Sequence, residues 1–212
     1  MSEPPPRWGR PDPMADPPSP SQLWNLPNAL TMLRLLLVPV FGYLLAVDTA
    51  TSRWAAAVVF VLASLTDLAD GAIARSRNLV TTFGKVADPI ADKTLTGVAL
   101  LGLSILGELP WWVTIVILGR EIGITLARFF VIRHGVIPAS RGGKAKTVTQ
   151  MLAIFLYLIP ATGWLADLRW PAMLLAVALT ILTGIDYIVR VVHLRRNSER
   201  TAMKKARRAA GR

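Results

Sequence analysis

The sequence predicts an all-α, polytopic membrane protein with six transmembrane helices and a short N-terminal interfacial segment. Three observations predict it. Of 212 residues, 53% are hydrophobic and the mean hydropathy is +0.46, greasier than a soluble domain of this size. Apolar runs of roughly 18 to 23 residues, each able to cross a ~30 Å hydrocarbon core, can be drawn six times. The Lys and Arg residues behind the net charge of +11 gather at alternate connections, as in a chain that crosses and recrosses a membrane.

Residues 1–20 contain eight prolines and no apolar core, which argues against a signal peptide and predicts a disordered Pro-rich tail. Ser21 to Pro27, "SQLWNLP", mixes Leu23, Trp24 and Leu26 with polar neighbours and reads as the interfacial segment, or equally as a linker. The spans follow at Ala29–Val47, Trp54–Ala74, Val86–Leu106, Pro110–Ile132, Thr147–Trp164 and Trp170–Val192. Residues 21–194 form one transmembrane domain, and 195–212 a basic tail. Asn28 and Thr31 open the first span, where helix capping suffices to explain them. Trp111, Trp112, Trp164 and Trp170 flank span ends on one side and read as an aromatic belt.

Arg7 and Arg10, then Arg75, Arg77 and Lys85, then Arg133, Arg141, Lys144 and Lys146, and finally eight basic residues from Arg195 to Arg212 fall on one side of the predicted membrane. Arg53 and Arg169 fall on the other. The positive-inside rule makes this a multi-pass cell-membrane protein with both termini and the basic loops in the cytoplasm. Topology and anionic lipid account for the basic tail, so no nucleic-acid partner is expected. The absence of cysteine excludes disulfides and thiolate metal sites, and two histidines are too few for a typical zinc or di-iron centre.

The stretch "DLADGAIARSRNLVTTFGKVADPIADK", residues 67–93, sets four aspartates in a chain otherwise built for lipid. Asp67 and Asp70 are three residues apart and Asp88 and Asp92 four, so each pair lies along one face of its helix. Unpaired charge near hydrocarbon costs roughly 2.5 to 3.5 kcal/mol per residue at a helix centre on insertion scales. Arg75 and Lys93 could neutralise them as internal salt bridges, and Asp88-Pro89 could be a helix N-cap followed by proline. Hard divalent cations with oxygen ligands account for all four, because Mg²⁺ uses a few carboxylates and shares its shell with substrate phosphates. Two such ions can hold a diphosphate during in-line displacement. Gly71, Ala74 and Gly84 leave room for close helix approach or for a ligand against backbone.

Asp67, Asp70, Gly71, Ala74, Arg75, Gly84, Asp88 and Asp92 match, without a gap, the pattern D-x2-D-G-x2-A-R-x8-G-x3-D-x3-D of the CDP-alcohol phosphatidyltransferase family, which the chain resembles. The resemblance implies a six-helix membrane enzyme, a homodimer, that displaces CMP from a CDP-linked lipid by an alcohol. It implies two Mg²⁺ (or Mn²⁺) ions on Asp67, Asp70, Asp88 and Asp92, with Asp92 also the general base. Gly71, Arg75, Thr81 and Gly84, with Asn28 and Thr31, are then the contacts to CDP-diacylglycerol.

"NLPNALTMLRLLLVPVF", "GREIGITLARFFVIRHGVIPAS" and "GGKAKTVTQM" are similar to the branch of that family whose acceptor is sn-glycerol 3-phosphate, giving phosphatidylglycerophosphate. Phosphatidylglycerol, as in cardiolipin synthesis, or inositol phosphate is the alternative acceptor. Arg120, Glu121 and Arg128 interrupt the fourth span, with Arg120 and Arg128 close to two turns apart on one face. Arg120, with Lys144 and Lys146 in a Gly-rich loop and Arg190 near the end of the sixth span, forms the candidate site for the acceptor's phosphate. Glu121 reads equally as a structural bridge to Arg120. A divalent-cation transporter also carries intramembrane aspartates, but paired interrupted helices in two related halves are expected there.

Overall fold

The computed structural model describes residues 26–76, 82–131 and 141–210, with side-chain surroundings for residues 28–67, 90–91, 93–127 and 143–192. Seven helices occupy the described residues, with no strand: α1 (Leu26–Val47), α2 (Ala50–Ser76), α3 (Thr82–Ile105), α4 (Trp111–Val131), α5 (Arg141–Leu158), α6 (Trp164–Asp167) and α7 (Arg169–Ala210). Six of them overlap the six apolar runs. The stretches Asn28–Val47 and Trp164–Val192 have the length and apolarity to cross a membrane, each with a mean hydropathy of 2.1. The predicted tail, residues 1–20, and the interfacial segment up to residue 25 lie outside the described residues, as do Thr81 and Arg133.

Several boundaries differ from expectation: α7 runs on to Ala210, past the Val192 end of the apolar run and through most of the expected tail, and four others differ for a local reason. α1 starts at Leu26 with Pro27 in its first turn, where the missing N–H costs nothing. Asn28 and Thr31 therefore lie inside the helix, and both are buried, so capping does not explain them. α3 starts at Thr82, which puts Asp88 in the helix interior and removes the N-cap reading of Asp88-Pro89. Lys144 and Lys146 are helical rather than in a loop, because Gly142 and Gly143 fall in the first turn of α5, where backbone N–H groups lack intrahelical partners anyway. The same helix stops at Leu158, before Pro160, which disfavours helical geometry in the residue preceding it. Trp164 belongs instead to the short α6, entered through Gly163 at φ 62°.

The connections show why the helices start and stop where they do. Asp48 takes a left-handed φ of 51°, which a short polar side chain tolerates. Thr49 and Ser52 then exchange side-chain-to-backbone hydrogen bonds of 2.9 and 3.1 Å, a reciprocal cap on the start of α2. Gly107, at φ 75°, ends the α3 region while the Glu108 N–H reaches back to the Leu103 carbonyl at 3.0 Å.

α1 packs against α2 and α3, α5 against α7 and α2, and α4 against α7 and α3. Phe41, Phe60, Leu100, Leu103, Ile117, Ile154 and Met173 form one continuous core. A Cβ at Gly102 would come within 2.5 Å of Leu45 Cδ2, so any larger residue there would make the Leu45 side chain shift where α1 approaches α3. The exterior is apolar, with Leu36, Tyr43, Ile105 and Ile115 about two-thirds exposed or more. Arg34, Arg53, Lys146, Gln150 and Thr180 lie buried inside. Apolar side chains outward and polar ones inward suit a helical protein solvated by lipid.

Two arginines close one end of the bundle. α5 leaves four C-terminal carbonyls without helical donors. The Ile159 N–H donates to the Phe155 carbonyl at 3.1 Å and Arg169 Nε to Leu156 at 3.0 Å. Arg53 donates to Tyr157 at 2.6 Å and to Leu158 at 3.2 Å. Its Nη1 also pairs with Asp48 at 2.9 Å and Glu108 at 2.6 Å. The start of α2 and the ends of α1, α3 and α5 thus meet at one level. Trp112 and Trp170 meet edge-to-face at 6.3 Å at the starts of α4 and α7, setting those helices in the same alternation. Arg53 and Arg169, the two basic residues that depart from the charge asymmetry, are thus occupied by structure.

Arg53→Met should lower the melting temperature in detergent. The loss lies at the low end of the ~3–5 kcal/mol for breaking a buried pair, because Asp48 and Glu108 remain partly hydrated. An unchanged melting temperature would show that this closure contributes nothing.

Candidate functional site

α1 carries a buried stripe at helical spacing: Asn28, Thr31, Arg34, Val38, Phe41 and Leu45. Its lower part is core, and its upper part is polar. Arg34 is fully buried, and its Nη1 donates to Asp67 Oδ1 on α2 at 2.6 Å. The Asp67 side chain keeps 29% of its exposure, so the carboxylate faces a guanidinium on one side and open space on another. Sequence reasoning missed Arg34. Its signal is a lone cation within the first apolar run, in register with Asn28 and Thr31.

Asp70, Gly71 and Arg75 continue α2 beyond Asp67, while Gly84, Asp88 and Asp92 lie on α3. The polypeptide from Ser76 to Thr82 joins the two helices, so all four aspartates belong to neighbouring ends of one helix pair. Among the described residues no group of three potential metal-ligating side chains occurs, and Asp67 is the one of the four aspartates whose surroundings are described. The donor set is all carboxylate oxygen at one-turn spacing, which fits a hard divalent cation rather than a thiolate- or imidazole-seeking metal.

A second polar cluster joins α3, α4 and α5. Glu121 receives Lys93 Nζ at 3.3 Å on one oxygen, and Arg120 Nη1 at 3.1 Å together with Lys146 Nζ on the other. Lys93 therefore pairs with Glu121. Arg120 also reaches Thr183 Oγ1 on α7 at 2.9 Å, passing Gly184, where a Cβ would sit 3.4 Å from its Cγ. Lys93, Glu121, Lys146 and Gln150 line a cavity of about 380 Å³. The Gln150 Oε1 is buried with no hydrogen-bond partner among the described residues.

Of the expected acceptor-phosphate residues, Arg120 and Lys146 meet at this cluster. Lys144 is exposed one turn from the start of α5, and Arg190 is exposed with its Nε on Asp186 at 3.0 Å. Neither is drawn to Glu121. The surroundings of Gly71, Arg75, Gly84 and Arg128 and all of Thr81 fall outside what is described.

A family model described as CDP-alcohol phosphatidyltransferase matches residues 24–182. A protein of Mycobacterium tuberculosis (strain ATCC 25618 / H37Rv) named "Probable phosphatidylglycerophosphate synthase" is 49% identical over 177 residues, 81% of this chain and 84% of that one. Proteins named "CDP-diacylglycerol--glycerol-3-phosphate 3-phosphatidyltransferase" are similar at 39% in Rickettsia typhi (strain ATCC VR-144 / Wilmington), over 77% of this chain and 94% of that one. In Bacillus subtilis (strain 168) the value is 36%, over 78% and 94%.

Arg34→Gln should unfold at a lower temperature than the wild type, because Asp67 loses a buried guanidinium. Arg34→Lys, which keeps the charge but loses the planar fork, should recover part of the difference. Equal melting temperatures for Arg34→Gln and the wild type would remove the pair from the account.

Proposed function

The chain belongs to the CDP-alcohol phosphatidyltransferase family, and from that premise we propose that it transfers a phosphatidyl group from CDP-diacylglycerol to sn-glycerol 3-phosphate, giving phosphatidylglycerophosphate and CMP. It is a transferase of phospholipid biosynthesis and is associated with membranes. The observation that carries the reading is the gap-free eight-residue pattern from Asp67 to Asp92, on a chain whose relatives bear that enzyme's name.

Asp92 takes the proton from the primary hydroxyl of glycerol 3-phosphate. That oxygen attacks the phosphorus bearing the diacylglycerol, the bond to the CMP oxygen breaks, and CMP leaves. Asn28, Thr31, Gly71, Arg75, Thr81 and Gly84 hold the cytidine diphosphate part: Gly71 admits the nucleotide against backbone, and the Arg75 guanidinium grips phosphate oxygens. The family generally depends on a divalent metal, and Asp67, Asp70, Asp88 and Asp92 would hold two Mg²⁺ or Mn²⁺ ions. Such ions, when bound, would lower the barrier to proton loss and stabilise charge on the leaving phosphate. Arg120 and Lys146 receive the acceptor's phosphate, with Lys144 and Arg190 on its approach. The chain crosses the membrane six times as a homodimer, with termini and site cytoplasmic.

Supplied in detergent with Mg²⁺, CDP-diacylglycerol and separate candidate alcohols, the purified protein should release CMP and phosphatidylglycerophosphate in equal amounts with glycerol 3-phosphate. Asp92→Asn, nearly isosteric but without basicity, should lower kcat by the ~10² to 10⁴ typical of a lost general base. Turnover with phosphatidylglycerol or inositol phosphate in place of glycerol 3-phosphate would overturn the acceptor. A phosphatidyl-enzyme trapped without alcohol would overturn the single displacement.

A further inference from the structure

Glu121 occupies a position that a simple structural bridge does not require. One carboxylate balances one cation, yet cations from three helices converge on it: Lys93 from α3, its own neighbour Arg120 on α4, and Lys146 from α5. Among the described residues, Glu121 is the one carboxylate that Lys93 and Arg120 pair with. Among the described residues, Lys93 and Arg120 already bring two positive charges to one carboxylate, and a cation group of that kind at the edge of a cavity suits an anionic ligand.

The position of Lys93 gives the cluster a second consequence. It directly follows Asp92, the base in the reading above, on the same helix. Lys146 and Arg120 are the acceptor-phosphate residues of that reading, on α5 and α4. The Glu121 carboxylate therefore ties the helix that carries the base to both helices that carry the phosphate-binding cations. Gly184 supports the tie by leaving room for the Arg120 side chain against α7.

We propose that Glu121 is a positioning residue for the acceptor: it holds Lys93, Arg120 and Lys146 in one fixed array that receives a phosphomonoester dianion, and it fixes that array's distance from the helix bearing Asp92. The proposal rests on the acceptor reading and adds Glu121 and Lys93 to it. Glu121 itself touches no reacting atom. It acts through the cations, which without it repel one another and lose their common geometry. A phosphate contact made equally in the ground and transition states is uniform binding, so its loss raises KM for the acceptor rather than lowering kcat.

Steady-state kinetics in detergent test this, with glycerol 3-phosphate and CDP-diacylglycerol varied separately. The wild type comes first: no turnover of glycerol 3-phosphate would overturn the functional reading and this inference with it. Given turnover, Glu121→Gln should raise KM for glycerol 3-phosphate about tenfold, the effect of ~1.4 kcal/mol of binding. It should leave KM for CDP-diacylglycerol and the saturated kcat within about threefold. Glu121→Asp, which keeps the charge, should recover part of the loss. Lys93→Met should raise the same KM, and adding it to Glu121→Gln should raise KM by less than the product of the single effects, because the two residues act as one unit. If Glu121→Gln does not fold, Glu121→Asp and Lys93→Met are read by the same criterion. An unchanged KM for glycerol 3-phosphate, or equal changes for both substrates, would overturn the positioning role while leaving the proposed reaction standing.

Discussion

Charge inside an apolar-surfaced bundle has to be answered from another helix, and the described part of this protein is organised by that requirement. Arg34 on α1 meets Asp67 on α2, and Lys93 and Lys146 meet Glu121 across α3, α4 and α5. Arg53 on α2 meets Glu108 beyond α3. Leucine and valine packing brings the helices together but sets their height and rotation weakly, because one apolar contact resembles the next. An ion pair between fixed positions on two helices sets both. Breaking one leaves an uncompensated charge where solvation is poor, so these contacts act as registers for the bundle.

The two ends of the bundle use this requirement differently. At one end Arg53 and Arg169 are consumed by the last carbonyls of α5 and by Asp48 and Glu108, which leaves a closed, structural cap. At the other end charge is in excess. Four aspartates stand at the facing ends of α2 and α3, and cations gather around Glu121 a short way along. An aspartate group and a cation group are complementary to the two halves of the proposed reaction: metal-bound diphosphate for the first and an acceptor phosphate for the second. The closed end gives the open end a fixed frame.

Much of this was legible in the sequence. Length and apolarity located the six long helices, and the spacing of Asp67, Asp70, Asp88 and Asp92 points to the site proposed above. Local sequence does not reveal which distant cation answers which anion. Arg34 lies 33 residues from Asp67, and its role follows only when the polar upper half of the α1 stripe is seen to continue its apolar lower half. Sequence offers Lys93 as one alternative neutraliser of the aspartates beside it, whereas the structure pairs it with Glu121, 28 residues away. The loop assigned around Lys144 and Lys146 turned out helical because glycine is tolerated in a first turn. The fifth helix ended early because Pro160 outweighed the continuing apolarity.

The central claim is that the aspartates persist in this setting because divalent cations and a diphosphate complete them. Mn²⁺ binding, followed by loss of the free-ion paramagnetic resonance signal in the presence of CDP-diacylglycerol, tests it without relying on turnover. The account predicts saturable binding approaching two ions per chain in the wild type, and markedly weaker binding in Asp67→Asn and Asp88→Asn variants that remain folded. Wild-type affinity in both folded variants would contradict it.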